Sequence, residues 1–154
     1  MGAAWALRRA ELTDAMALAA CIDAAYAGYV ARIDDLPAVS EGVEEDIARN
    51  RVWVGERDGE IVGGAVLVVE VGCGVLANVA VAPIAQGTGL GRALIRQAET
   101  EARRLGLANL RLSTHVAMPD NVRLYERLGW RVTGRTGTKV MMEKRLKGSS
   151  PTPD

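Results

Sequence analysis

A chain of 154 residues fits a single domain that buries roughly two-thirds of its unfolded surface. With 49% apolar residues, 25% charged and no net charge it reads as a soluble protein, and neutrality argues against nucleic acid, whose binders usually carry a basic domain. No apolar run approaches the ~20 residues that cross a bilayer, and one histidine with two cysteines, Cys21 and Cys73, makes neither a metal set nor a disulfide framework.

In chain order, the opening MGAAWALRRAELTD has no charged leader ahead of a long apolar core, so no secretory signal is expected. Ala6 stands where a myristoylation signal wants Ser or Thr. WALRRA reads as a first strand. LTDAMALAACIDAAYAGYV follows as a helix capped by Thr13 or Asp14, with Ala15, Leu18, Ile22 and Ala25 or Tyr26 on one face. A second short helix is expected to start near Ser40, after the break at Pro37. VWVGE and IVGGAVLVVE pair as a hairpin across Asp58-Gly59, a strong turn signal. GVLANVAVAP is a largely buried strand ending at Pro83. LGRALIRQAETEARRLGL is an amphipathic helix with Leu90, Leu94, Ala98, Ala102 and Leu105 inward and Gly106 as its stop.

LANLRLST is a further strand, PDNVRLYERLGW a short helix closed by Gly129, and RVTGRTGTKVMMEKRL a last pair of strands. KGSSPTPD, at 147–154, is a disordered tail beyond one domain of residues 1–146. The fold class is mixed α/β, a strand hairpin leading into a strand–helix–strand unit whose two strands run parallel. Cys21 falls on the apolar side of the first helix and Cys73 in a turn, as a reducing, cytoplasmic setting allows. Trp5, Trp53 and Trp130 fall on strand positions and read as packing.

The neutral total hides an asymmetry. Residues 1–85 carry 6 basic and 13 acidic side chains, and residues 86–154 carry 13 basic and 6 acidic. The basic half begins at QGTGLG, which joins a strand to a helix. A helix start leaves backbone N–H groups unpaired and carries a partial positive charge, and glycines let anionic oxygens come close. A phosphate or pyrophosphate is the natural guest. A Walker loop fails, because Gly91 is followed by Arg92-Ala93 and no lysine occurs before Lys139. A dinucleotide fingerprint is weak, because the spacing is G-x-G-x-G and no acid follows at Leu110 to Ser113.

QGTGLG, after Val79-Ala80-Val81-Ala82-Pro83, resembles the pyrophosphate loop of the GNAT superfamily of N-acetyltransferases. NVRLYERLGW, Asn121 to Trp130, is similar to that family's later helix motif. The element order fits the GNAT fold over nearly the whole chain, which implies a mixed twisted sheet of six or seven strands flanked by about four helices.

The resemblance implies acetyl-coenzyme A as co-substrate, with no metal, and direct attack by a primary amine through a tetrahedral intermediate. The pyrophosphate would rest on Gln86, Gly87, Thr88, Gly89, Leu90 and Gly91, with Arg92, and one turn later Arg96, adding charge. The pantetheine arm would pair with the strand bearing Val79, Ala80 and Val81, and the Val79 N–H would polarise the thioester carbonyl. Tyr125 would return a proton to the departing thiolate. Asn121 would bond the cofactor arm or cap its helix.

The chain departs from relatives that carry a glutamate on the strand before the loop, since Ala77 and Asn78 stand there. The base stays open between water, a carboxylate from elsewhere and His115, which follows LRLST. Tyr26 and Tyr29 are one helical turn apart and are candidates for the acceptor pocket. Asp34, Asp35, Glu41, Glu44, Glu45 and Asp46 suggest a cationic acceptor, an amine or basic peptide end, with a solvated acidic surface as the plain alternative. A covalent cysteine route is disfavoured. A non-catalytic acyl-coenzyme A sensor on the same fold and a nucleotide binder are the competing readings, and monomer and homodimer both stay open.

Overall fold

The computed structural model describes residues 4–30, 42–116 and 118–146, with side chains in the first segment as far as Ala27. The expected tail at 147–154, the helix start near Ser40 and the acids Asp34, Asp35 and Glu41 lie outside the described residues, as does the side chain of Tyr29.

Seven strands form one mixed sheet: β1 (Ala6–Arg9), β2 (Arg51–Arg57), β3 (Glu60–Glu70), β4 (Cys73–Val81), β5 (Asn109–His115), β6 (Arg131–Thr136) and β7 (Lys139–Arg145). Their order is β1-β2-β3-β4-β5-β7-β6, antiparallel throughout except for the parallel pair β4–β5. Four α-helices accompany it: α1 (Ala15–Val30), α2 (Val43–Arg49), α3 (Leu90–Arg104) and α4 (Pro119–Arg127). The expected GNAT architecture is the one observed.

Both faces of the central strands are covered, which explains why β2 and β3 read as continuous apolar runs. Val52, Val54 and Val66 pack with Leu18 and Ile22 of α1 and Val43 of α2. Trp53, Ala65 and Leu67 point the other way, against Leu90, Leu94, Ile95, Ala98 and Ala102 of α3. Adjacent glycines on β3 let the helices sit close. A Cβ on Gly64 would lie 2.5 Å from Leu18 Cδ1, and one on Gly63 would lie 2.7 Å from Leu90 Cδ2. Leu90 is the first residue of α3, so this seat fixes where that helix begins.

Two local expectations, on the cap of α1 and on Cys73, are corrected. α1 is preceded by a 3₁₀ turn, Leu12–Asp14, and Asp14 acts by accepting the Glu11 N–H at 2.7 Å while paired with Arg8 at 2.8 Å. Gly42, in the left-handed region, is the N-cap of α2. Cys73 begins β4 and lies 3.1 Å from an Arg111 nitrogen, so it is not a turn residue. The hairpin turn is as expected, with Asp58 and Gly59 at φ 53° and 79°.

Candidate active site

The site begins with an irregularity in β4. Asn78 pairs with Val66 and Leu76 with Leu67, so Ala77 is one residue too many for β3. Such a bulge bends a strand and increases its twist. Pairing between β4 and β5 is confined to Cys73–Asn109, Gly74–Leu110 and Val75–Arg111, while β5 stays paired with β7 as far as His115–Lys139. Beyond Val75 the two parallel strands therefore diverge and leave a cleft.

The register identifies which groups face that cleft. Ala82 N–H bonds Val62 O at 2.8 Å, marking residues 62 and 82 as a hydrogen-bonded pair. Antiparallel partners alternate between bonded and non-bonded pairs. With Gly64 opposite Ala80 and Ala65 opposite Val79, the backbone of Ala80 turns toward β3, and those of Val79 and Val81 turn away from it. Two side chains reach the carbonyls so exposed: Tyr26 Oη donates to Val79 O at 3.3 Å, and Gln86 Nε2 donates to Val81 O at 3.5 Å.

At the end of β4, Ala82 leads into a 3₁₀ turn, Pro83–Ala85, and then the glycine loop. Gly87 and Gly89 have φ of 80° and 86°, and a Cβ on either would meet nothing within 4 Å. Their absent side chains leave open space, as a seat for a bulky anion requires. Gly89 is the N-cap of α3, and its carbonyl takes the Ala93 N–H at 3.0 Å. The amides of Leu90, Gly91 and Arg92 have no carbonyl one turn earlier within the helix. Arg92 is exposed beside them. Thr88 is turned the other way: its hydroxyl donates to Ala85 O at 2.6 Å and accepts from Trp5 Nε1 at 3.1 Å. It holds the loop in shape and does not line the cleft.

The cleft, about 660 Å³, is lined by the predicted cofactor-binding residues other than Thr88 and Arg96, together with Tyr26 and Tyr125. Tyr125 is 9% exposed. Its place follows from how α4 ends. Gly129, at φ 96°, lets the chain reverse, so that Trp130 N–H bonds Tyr125 O at 2.9 Å and Gly129 N–H bonds Glu126 O at 3.0 Å. This is a Schellman cap, and its usual apolar contact is here the edge-to-face pair of Tyr125 and Trp130, centroids 5.5 Å apart at 64°. LYERLGW is thus one structural unit that presents Tyr125. Burial, with the Tyr26 phenol near it, pushes the Tyr125 phenol well above its ordinary value, so it stays protonated. Among the described residues its hydroxyl makes no hydrogen bond.

Residues 13–130 match the family model described as Acetyltransferase (GNAT) family. The chain belongs to the GNAT acetyltransferases. An IAA acetyltransferase of Azospirillum brasilense is 37% identical over 104 residues, 62% of this chain and 68% of that one. Among solved structures, the PaiA N-acetyltransferase of Thermoplasma acidophilum in complex with coenzyme A superposes with a TM-score of 0.81 at 19% identity, over 92% of this chain and 99% of that one. The ribosomal-protein-S18-alanine N-acetyltransferase of Escherichia coli gives 0.78 at 23% identity, over 93% and 94%. This acetyltransferase shares their fold.

Some expected site residues stand elsewhere in the acetyltransferase. His115 ends β5 opposite Lys139 and does not line the cleft. Arg96 also stays outside it, whereas Arg127 of α4, which the sequence did not single out, lines it. Asn121 is not a cap, because Met118 holds that position; its Nδ2 lies 3.4 Å from Met118 Sδ and it faces the cleft. Glu44, Glu45 and Asp46 lie in the first turn of α2 and do not line it. Among the described residues the lining charges are Arg92, Arg127 and Asp120, the last paired with Arg123. Trp5, which the sequence suggested only as packing, supports the loop through Thr88. Among the described residues no helix is long and apolar enough to cross a membrane and no group of candidate metal ligands occurs.

Proposed function

We propose that this acetyltransferase moves an acetyl group from acetyl-coenzyme A to a primary amine by direct attack. The observation that carries the reading is the open edge of β4, where Val79 and Val81 present backbone groups to a cleft bordered by the glycine loop and Tyr125. Acetyl-coenzyme A supplies the acetyl group as a thioester and leaves as a thiol. The amides from Gly87 to Arg92, with the Arg92 guanidinium, suit its pyrophosphate. Val79 and Val81 suit an extended, amide-bearing arm that adds to the strand.

The Val79 N–H is the donor for the carbonyl oxygen as charge develops on it, a contact worth roughly 2.7–4 kcal/mol in other enzymes. A C–N bond forms, the C–S bond breaks, and Tyr125 gives its proton to the departing sulfur. A general acid of this kind contributes ~10²–10⁴-fold. Since Ala77 and Asn78 bring no carboxylate, the acceptor enters as the free amine, and the proton its nitrogen sheds on attack passes through water and restores the Tyr125 phenol. Turnover then rises with pH until the acceptor's own ammonium group is neutral, a range over which the Tyr125 phenol stays protonated.

The test is release of free thiol from acetyl-coenzyme A across polyamines, amino acids, aminoglycosides and peptide N-termini. IAA joins the panel because the Azospirillum relative is named for it. Amine-dependent release is the expected result, and a preference for cationic acceptors would support the acidic-stretch reading. Tight binding of acetyl-coenzyme A with no amine-dependent release would overturn the assignment to amines.

A further inference from the structure

Beyond the cleft, one buried charge has no part in the chemistry. Glu99, midway along α3, is 4% exposed. Its Oε2 accepts from Trp130 Nε1 at 3.2 Å, and its Oε1 accepts from Lys144 Nζ at 3.0 Å. Lys144, on β7, also donates to Leu128 O at 2.7 Å, the carbonyl at the end of α4. A buried carboxylate is costly unless it is paired and hydrogen-bonded, and an apolar side chain of similar volume avoids that cost. What the carboxylate adds is direction, because donors from β7 and from the turn after α4 converge on it.

Those donors lead to Tyr125. Trp130 holds the Tyr125 carbonyl through its own N–H at 2.9 Å and meets the Tyr125 ring edge-on at 5.5 Å. Lys144 holds the turn between them through Leu128 O. The other end of α3 carries the glycine loop, so one rigid helix refers both the anion seat and the phenol to a common frame.

We infer that Glu99 is a positioning residue for Tyr125, fixing the phenol relative to the helix start through Trp130 and Lys144. The inference rests on the reading of Tyr125 as the acid. Without the carboxylate, the indole loses its partner and Lys144 its counter-charge. The ring pair is then free to turn, and small misplacements of a catalytic group cost rate steeply.

The variants Glu99→Leu and Trp130→Phe remove the link from either side, and Trp130→Phe leaves the Glu99–Lys144 pair in place, which keeps the test available if Glu99→Leu does not fold. Each is expected to lower kcat about tenfold with KM for acetyl-coenzyme A within about twofold. Glu99→Leu should also change the near-ultraviolet circular dichroism of the ligand-free protein, and Glu99→Gln, which keeps an oxygen for the indole N–H, should recover most of the turnover. In a Tyr125→Phe background the cost of Glu99→Leu, or of Trp130→Phe in its stead, should shrink below about twofold, because both changes act on one hydroxyl. A cost that persists in full there, or unaltered kcat in both variants with unaltered dichroism in Glu99→Leu, would overturn the inference. Full turnover in Tyr125→Phe alone would instead remove the acid role of Tyr125, while the dichroism change would still support the positioning geometry.

Discussion

The glycine loop and the Tyr125 corner border one cleft and are built in opposite ways. At the loop the working groups proposed are backbone amides, and the side chains at 87 and 89 would matter by being absent. What has to be right is the left-handed backbone at two residues, which a few positions in a row can specify. At the corner the working group proposed is one side-chain hydroxyl, and its helix end is tied through Trp130 to Glu99 of α3 and through Leu128 O to Lys144 of β7. A site that acts through backbone is written locally; a site that acts through a side chain borrows its precision from the whole packing arrangement.

The largest effect should come from the corner. Tyr125→Phe removes one oxygen and keeps the ring against Trp130, so turnover should fall about 10²-fold or more while KM for acetyl-coenzyme A and the melting temperature stay close to wild type. Steady-state kinetics at saturating acceptor decide it; unchanged turnover would reduce the corner to packing. At the loop the effect should appear in binding. Gly89→Ala has room for its Cβ but forces a left-handed alanine, at about 1–2 kcal/mol. Misaimed amides should then raise KM for acetyl-coenzyme A about tenfold at nearly unchanged kcat. If calorimetry showed undiminished affinity, the loop would not be the anion seat.

A smaller change in the same sense should follow Trp5→Phe. Thr88 loses the indole donor but keeps Ala85 O, so KM should rise about two- to fivefold, as expected for one hydrogen bond of about 1 kcal/mol. An unaffected KM would mean that the loop holds its shape without Trp5.

Glu101 supplies the contrast on α3 itself, because it is a buried carboxylate tied to Arg51 and Arg104 and away from the cleft. Hydrogen bonds from Arg104 and then Arg51 hold it at about 2, below its ordinary 4.5. A depressed carboxylate stabilises the fold fully above the unfolded value and loses that contribution as pH falls through the folded one. Glu101→Gln should therefore lower stability at neutral pH by roughly 2 kcal/mol. The gap from wild type should close between about pH 4.5 and 2 in thermal melts, with kcat and KM unchanged. Loss of turnover would show that any buried charge on α3 matters, which would blunt the case for Glu99.

Much of the fold was legible because both faces of the sheet and the amphipathic helix α3 impose strong patterns. The Asp58-Gly59 turn, the inward leucines of α3 and the stop at Gly129 each follow from local chemistry, and each stands where expected. The first helix was harder. Thr13 and Asp14 both read as caps, yet the structure spends them on a 3₁₀ turn, because Asp14 is drawn back to Glu11 N–H and Arg8. Cys73 read as a turn residue because glycines flank it, while strand pairing with Glu70 and Asn109 claimed it for β4.

In the candidate site, the six residues QGTGLG suggested a seat for an anion, but not that Thr88 faces away from the cleft. His115 follows its strand closely in sequence, and the strand's pairing with β7 carries it past the cleft. Arg127 gave no signal, since an arginine at the end of a short helix reads as solvated.

The sequence by itself determined the α/β order, the left-handed loop before α3 and the cap that turns the chain after Tyr125. These depend on glycine stereochemistry and on periodicity within a few residues, so neighbours along the chain suffice. Only the tertiary structure decided that β4 bulges at Ala77 and leaves β5 after Val75, that Val79 and Val81 and not Ala80 turn their backbone to the gap, and that Glu99 ties α3 to the aromatic corner. Register, divergence and convergence of buried donors are set by packing between elements distant in sequence, and no local pattern carries them.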